Sequence, residues 1–182
     1  SNNINALAED KEGKIWIGTI EGISVRSNRR FDNYTTHHGL VSNIIASIAH
    51  DHSGAAWIGT KKGINIFKQG KIIPPPFENP QLFIKCIFHD RNLDSWFATN
   101  NGLYRYSFST RRLDLFKPED GLADSSINFV TQDKAGTIWI ATDRGLSRYK
   151  DNKFRNFSGA HGLTDAPCDF IIEDSRDHLW IG

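Results

Sequence analysis

The sequence has 182 residues, 38% of them hydrophobic, with 22 Lys plus Arg against 21 Asp plus Glu. That length suits one domain with a sizeable core, and a net charge of +1 supplies no global field to recruit nucleic acid or an anionic membrane. No apolar run approaches the ~18 to 20 residues needed to cross a bilayer, and nothing at the N-terminus reads as a signal peptide.

Read in chain order, the elements repeat. An apolar run at residues 4–7 leads to Asp10, Gly13, Trp16, Gly18 and Thr19. The same order returns as Asp51, Gly54, Trp57, Gly59 and Thr60, and as Asp90, Leu93, Trp96, Ala98 and Thr99. It returns again as Asp133, Gly136, Trp139, Ala141 and Thr142, and finally as Asp174, Asp177, Trp180 and Gly182. The tryptophans step by 41, 39, 43 and 41 residues and use all five in the chain. A period near 40 residues belongs to architectures whose units are single supersecondary elements stacked on one another.

Short apolar runs bounded by turns, at 4–7, 45–48, 84–88, 127–130 and 170–172, predict the first strand of each unit. Asp-x-x-Gly then predicts a type I turn; with Leu93 and Asp177 in the Gly position the turn is expected to persist in a less ideal form. The second strand carries the Trp, and a small residue two positions on shares its face, where another backbone can approach closely. Gly22, Gly63, Gly102 and Gly145 each close a tight hairpin into a third strand, at 23–25, 64–66, 103–106 and 146–149. A fourth follows at 31–34, 72–73, 113–116 and 154–157, and three of the ensuing loops contain Gly-Leu, at 39–40, 121–122 and 162–163. No segment has a helical period.

Four short antiparallel strands per unit predict an all-β chain of β-propeller blades. A single array over 1–182 is expected, with full blades at about 1–41, 42–80, 81–123 and 124–164 and half of a fifth at 165–182. Ser1 and Asn2 line up with Ser42 and Asn43, so the chain opens inside a repeat and ends in mid-motif. It is therefore expected to be a fragment of a larger propeller, closed by remaining blades or by a second copy as a homodimer. The second and third units are joined by Pro74, Pro75, Pro76 and Phe77 through to Pro80, which predicts an extended loop that shortens one connection.

Cys86 and Cys168 fall at neighbouring positions of the first strand two units apart, too distant for a disulfide, and are expected as buried thiols. Residues recurring in every unit, Asp10, Asp51, Asp90, Asp133 and Asp174 with Trp16, Trp57, Trp96, Trp139 and Trp180, are read as builders of the blade. His50, His52 and His89 flank these Asp, but the position before the Asp runs Glu9, His50, His89, Gln132, Glu173, a set that suits solvated turns better than metal ligands. No metal site, cofactor or catalytic residue is predicted: there is no phosphate-binding loop and no nucleophile motif.

Binding is better founded. The turns between second and third strands lie at one end of each sheet, together with the loops leading to the next unit. Their residues vary: Glu21, Lys61 and Lys62, Asn100 and Asn101, Asp143 and Arg144, with His37, His38, Asp120 and His161 in the loops. Variable polar groups on a repeated scaffold suit recognition. Lys62, Asn101 and Arg144, at equivalent positions, form the candidate ligand-binding set for an acidic or hydroxylated ligand.

The run Gly39, Leu40, Ser42, Asn43, Ile44 through Trp57, Ile58, Gly59, Thr60, Gly63 and Ile64 resembles the two-component regulator propeller repeat of bacterial hybrid histidine kinases. The resemblance covers essentially the whole chain; the departures are Leu93, Ala98, Ala141 and the proline-rich junction. It implies a periplasmic sensor region, often of oligosaccharides, tied to a membrane and a kinase only through downstream segments. It brings no catalytic residue with it. A protein-interaction or dimerisation scaffold without a small ligand is the alternative.

Overall fold

The computed structural model describes residues 3–79, 81–163 and 166–182. The equivalence of Ser1 and Asn2 with Ser42 and Asn43, Pro80 of the junction, and the expected boundary at Thr164 and Asp165 lie outside them. The architecture is all-β, in five antiparallel sheets with strands in chain order. The first holds β1 (Ile4–Glu9), β2 (Ile15–Thr19), β3 (Gly22–Ser27) and β4 (Arg30–Tyr34); the second β5 (Ile45–His50), β6 (Ala56–Thr60), β7 (Gly63–Lys68) and β8 (Lys71–Ile73). The third holds β9 (Ile84–His89), β10 (Ser95–Thr99), β11 (Gly102–Ser107) and β12 (Arg112–Phe116). β13 (Ile127–Gln132), β14 (Ile138–Thr142), β15 (Gly145–Lys150) and β16 (Lys153–Phe157) make the fourth, and β17 (Ile171–Glu173) with β18 (Leu179–Ile181) the fifth. These are the four propeller blades and the half-blade expected from the repeat. The chain forms two compact units, Ser1–His89 and Asp90–Gly182. The loops with Gly-Leu differ from expectation in one respect: each contains a single 3-10 turn, Thr36–His38, Pro118–Asp120 or Gly159–His161.

Strand parity explains the packing. In the first unit, Trp16 and Gly18 share one face of β2, which meets Ile45, Ala56 and Ile58 of the second sheet in one buried cluster with Ile23, Val25 and Leu40. A Cβ at Gly18 would stand 2.6 Å from Ile45 Cγ2, and one at Gly59 would stand 2.9 Å from Ile84 Cγ2, so the small residue sets how closely sheets approach. In the second unit, Ala141 packs with Leu146, Cys168 and Ile171. Cys168 precedes β17, whereas it was expected within a strand beside the position of Cys86; both thiols are buried and no disulfide joins them.

The Asp-x-x-Gly turns form in all five repeats, including the two without Gly. Leu93 N donates to the Asp90 carbonyl at 3.1 Å and Asp177 N to the Asp174 carbonyl at 3.3 Å. The fourth position is left-handed throughout, with φ of 77° at Gly13 and 69° at Leu93. Glycine is favoured there by backbone conformation, since a Cβ at Gly54 would meet nothing within 4 Å.

The proline-rich junction is part of the second blade and not a bare loop. β8 pairs with β7 only as far as Ile66↔Ile73, and by register Pro75 would face Ile64 without an N–H to offer. Asn79 takes over: its Nδ2 donates to the Ile64 carbonyl at 2.8 Å and its Oδ1 accepts from Ile64 N at 2.9 Å. Phe77 stacks on Trp57 at 6.3 Å, as Phe116 stacks on Trp96 at 6.2 Å in the third sheet.

Two outcomes follow from these contacts. Asn79→Ala should destabilise the fold by about 2 kcal/mol in urea unfolding, because it strands the Ile64 amide and carbonyl. Leu93→Gly should stabilise it by about 0.5 to 1 kcal/mol by relieving the left-handed conformation of a half-exposed residue, read as a raised Tm.

Candidate functional site

Each four-stranded sheet is closed at one end by the Asp turn and at the other by the two-residue turn, and the bonds at these ends decide which side chains are available. At the first end, every repeat Asp spends both carboxylate oxygens. In the second repeat, Asp51 Oδ1 accepts from Ser53 N at 2.8 Å and Ala55 N at 3.1 Å, while Oδ2 accepts from the Trp57 indole Nε1 at 2.9 Å. The indole bond recurs at Asp10–Trp16 (3.0 Å), Asp90–Trp96 (2.9 Å), Asp133–Trp139 (2.8 Å) and Asp174–Trp180 (3.1 Å). Burial pushes the Asp51 carboxyl up, but the Ser53 hydroxyl, the Trp57 indole and the backbone amides together outweigh it and hold it below its ordinary value. Asp10 and Asp133 are lowered against burial in the same way.

The position before the Asp does not face solvent alone, contrary to the sequence expectation. Gln132 Oε1 accepts from Arg91 N at 3.1 Å, and Glu173 Oε2 from Lys134 N at 2.8 Å, so it receives an amide of the preceding repeat. Cations one residue past the Asp cross the same seam: Lys11 Nζ to the His52 carbonyl at 2.8 Å, Arg91 Nη1 to the Lys134 carbonyl at 2.8 Å and Lys134 Nζ to Asp177 at 2.6 Å. His50 and His89 hold this position in the first unit, each with its ring edge-on to a tryptophan of the preceding repeat, Trp16 at 5.4 Å and Trp57 at 5.5 Å. Burial lowers both; His89 is brought down to about 4, against a partial upward pull from Asp51. Among the described residues, no group of three or more His, Cys, Asp or Glu could hold a metal ion.

At the other end stand the predicted ligand residues. Lys62 is exposed at the tip of β6–β7 in the first unit; Asn101 and Arg144 are exposed at the tips of β10–β11 and β14–β15 in the second. No hydrogen bond or ion pair joins Asn101 to Arg144, whose Nε pairs with Asp124 Oδ2 at 3.1 Å. What these residues share is a backbone anchor that sequence reasoning passed over. The Thr three residues after the Trp donates its hydroxyl to the Gly carbonyl beyond the turn, as Thr60 does to Gly63 at 2.9 Å, and accepts the amide of the second tip residue, as from Lys62 N at 3.0 Å. Thr19, Thr99 and Thr142 repeat both bonds, to Glu21, Asn101 and Arg144 respectively. The signal was the constancy of Thr in four repeats. A Cβ at Gly22 would fall onto the Tyr34 carbonyl, so glycine is required there by contact as well as by its φ of 122°.

The loop residues behave differently. His38, Asp120 and His161 bond to the backbone amides of Thr35, Lys117 and Ser158 that open their own 3-10 turns. The loops are tied to neighbouring strands through polar side chains: Asn65 Oδ1 accepts from Val41 N at 2.8 Å, and Ser147 Oγ from Ala123 N at 3.0 Å.

The sequence model of the two component regulator propeller family matches residues 1–21 and 121–144. No curated protein matches the chain. Among solved structures, the chain is similar to the extracellular domain of a hybrid two component system from B. thetaiotaomicron, with 27% identity and a TM-score of 0.86 over 98% of this chain. A second extracellular domain of such a system from that organism aligns over 100% of the chain at 21% identity and a TM-score of 0.84. The chain spans 26% of the length of each. Virginiamycin B lyase from Staphylococcus aureus is similar in fold, at 16% identity and a TM-score of 0.79, over 98% of this chain and 62% of the lyase. No helix among the described residues is long and apolar enough to cross a membrane.

The depressed His89 makes stability pH-dependent with a defined sign. The unfolded chain binds the proton near the ordinary imidazole value of 6.5 and the folded chain only near 4, so stability is complete above 6.5 and falls as pH drops through that window. Between pH 7 and 5 the loss should be about 2 kcal/mol. His89→Gln, which installs the residue found at the equivalent position 132, should remove that part of the pH dependence in urea midpoints.

Proposed function

We propose that this chain carries two-component regulator propeller repeats and is a ligand-sensing segment of the extracytoplasmic, periplasmic region of a hybrid two-component histidine kinase, with a carbohydrate as the ligand. One observation carries this reading. The backbone of each two-residue turn is held by the same Thr and Gly, while its side chains change from Ile20 and Glu21 to Lys61 and Lys62, Asn100 and Asn101, and Asp143 and Arg144. A scaffold that holds position and frees identity is what selective binding needs. Lys62 and Arg144 supply cationic donors and Asn101 a neutral amide, a set suited to hydroxyl and carboxylate oxygens. The similarity to extracellular domains of hybrid two-component systems supports the sensor role. Transfer of the signal to a kinase would fall to parts of the protein beyond these residues.

A protein-interaction or homodimer scaffold without a small ligand is the second reading.

Calorimetry with a panel of neutral and acidic oligosaccharides separates the two. Replacing Lys62, Asn101 and Arg144 together by Ala should weaken the tightest binder by at least about a hundredfold, since each lost bond to a charged or polar donor contributes on the order of 1 kcal/mol or more. Unchanged affinity would remove these residues from the site. No response to any saccharide, together with a dimer by light scattering, would favour the scaffold.

A further inference from the structure

Three of the loops close with the same device built from different chemistry. Thr35 N donates to His38 Nδ1 at 3.1 Å, Ser158 N donates to His161 Nδ1 at 3.3 Å, and Lys117 N donates to Asp120 Oδ2 at 2.9 Å. In each case the last residue of a 3-10 turn reaches back to the amide that opens it, and a left-handed glycine follows, Gly39, Gly162 or Gly121. An imidazole nitrogen accepts a hydrogen bond only through its lone pair, so in this arrangement Nδ1 of His38 and of His161 is the acceptor and the ring proton sits on Nε2.

We infer that the loops after β4 and β16 are proton-operated latches, and that the loop after β12 is the same latch made insensitive by Asp120. A proton taken from solvent by Nδ1 of either His turns the acceptor into a donor, which then faces a second donor, the Thr35 or Ser158 amide. That amide bond is lost. At His38 the Thr35 hydroxyl, also 3.1 Å from Nδ1, can reverse from donor to acceptor, so this loop rearranges around a retained side-chain contact. At His161 the amide bond is the contact the turn gives up. A carboxylate keeps its acceptor oxygens until far lower pH, so the Asp120 latch stays closed through the imidazole range.

The groups around each ring are defined. Tyr34 of β4 packs edge-on to His38 at 5.9 Å, and Lys71 of β8 lines the same depression with Gly70 and Ile72. Phe157 of β16 packs edge-on to His161 at 5.6 Å and carries Arg155 over its ring at 5.2 Å. Within each unit these loops stand at the same end of the sheets as the two-residue turns, so opening them would reshape the surroundings of the proposed ligand residues of that unit in acid. That consequence rests on the ligand reading; the latch itself does not.

The test uses amide NMR on the ligand-free 182-residue chain, so failure of the ligand reading leaves its result unchanged. From about pH 7.5 to about pH 5, the Thr35 and Ser158 amide resonances should move on one-proton curves that track the ring protons of His38 and His161, while the Lys117 amide stays in place. His38→Asp with His161→Asp should hold the Thr35 and Ser158 amides in place across the same range. The inference is overturned if those two amides stay in place while the rings titrate, or if they move equally in the Asp variants.

Discussion

The bond from a tryptophan indole N–H to the aspartate six residues before it is the constraint on which the rest of this structure depends. One carboxylate oxygen takes backbone amides of the turn and the other takes the indole, so a single side chain fixes both the turn and the ring. A buried indole N–H without a partner would be costly, and here the partner is supplied by the same hairpin. The bond also forms at Asp174–Trp180, where the ring is largely exposed. It is therefore a local property of the hairpin, present whether or not the ring is covered. Once the ring is oriented, the small residue two positions on falls on the same face, and the next sheet can approach to the distance that Gly18 and Ile45 define.

With turns and rings fixed locally, the remaining ends of the sheets are released from structural duty. Thr and Gly hold the two-residue turns by backbone contacts, an anchor that does not depend on the side chains of Lys62, Asn101 and Arg144, although Arg144 also pairs with Asp124. The opposite end is not free in this sense. There the side chains before and after the Asp cross to the adjacent repeat, as Lys134 does to Asp177 and Glu173 to Lys134, and changes in residue type must keep an acceptor or a cation in place.

Two places show how side chains substitute for backbone when the repeat is broken. Asn79 stands in for a strand that Pro75 cannot extend, offering an amide of the same donor and acceptor pattern as a peptide group. In the loops, an imidazole in two repeats and a carboxylate in the third serve the same amide, which makes geometry equal and proton sensitivity unequal. Both are cases where the shape of the repeat is kept and its chemistry is altered.

The sequence by itself determined the period, the strand order, the turn types and the place of each Trp and Asp, because each is a short-range matter of backbone conformation and strand parity. Leu93 and Asp177 could be read as turns under strain for the same reason. The tertiary structure alone decided which polar side chains are occupied. Gln132 and Glu173 looked like solvated turn residues, and His38, Asp120 and His161 like variable surface groups, because their partners are backbone amides whose direction no spacing rule encodes. The structural role of Phe77 and Asn79 was hidden likewise, since it appears only when Trp57 and Ile64 are brought beside them by the fold. Local rules wrote the blade; contacts across turns and sheets decided which of its residues remain available to a ligand.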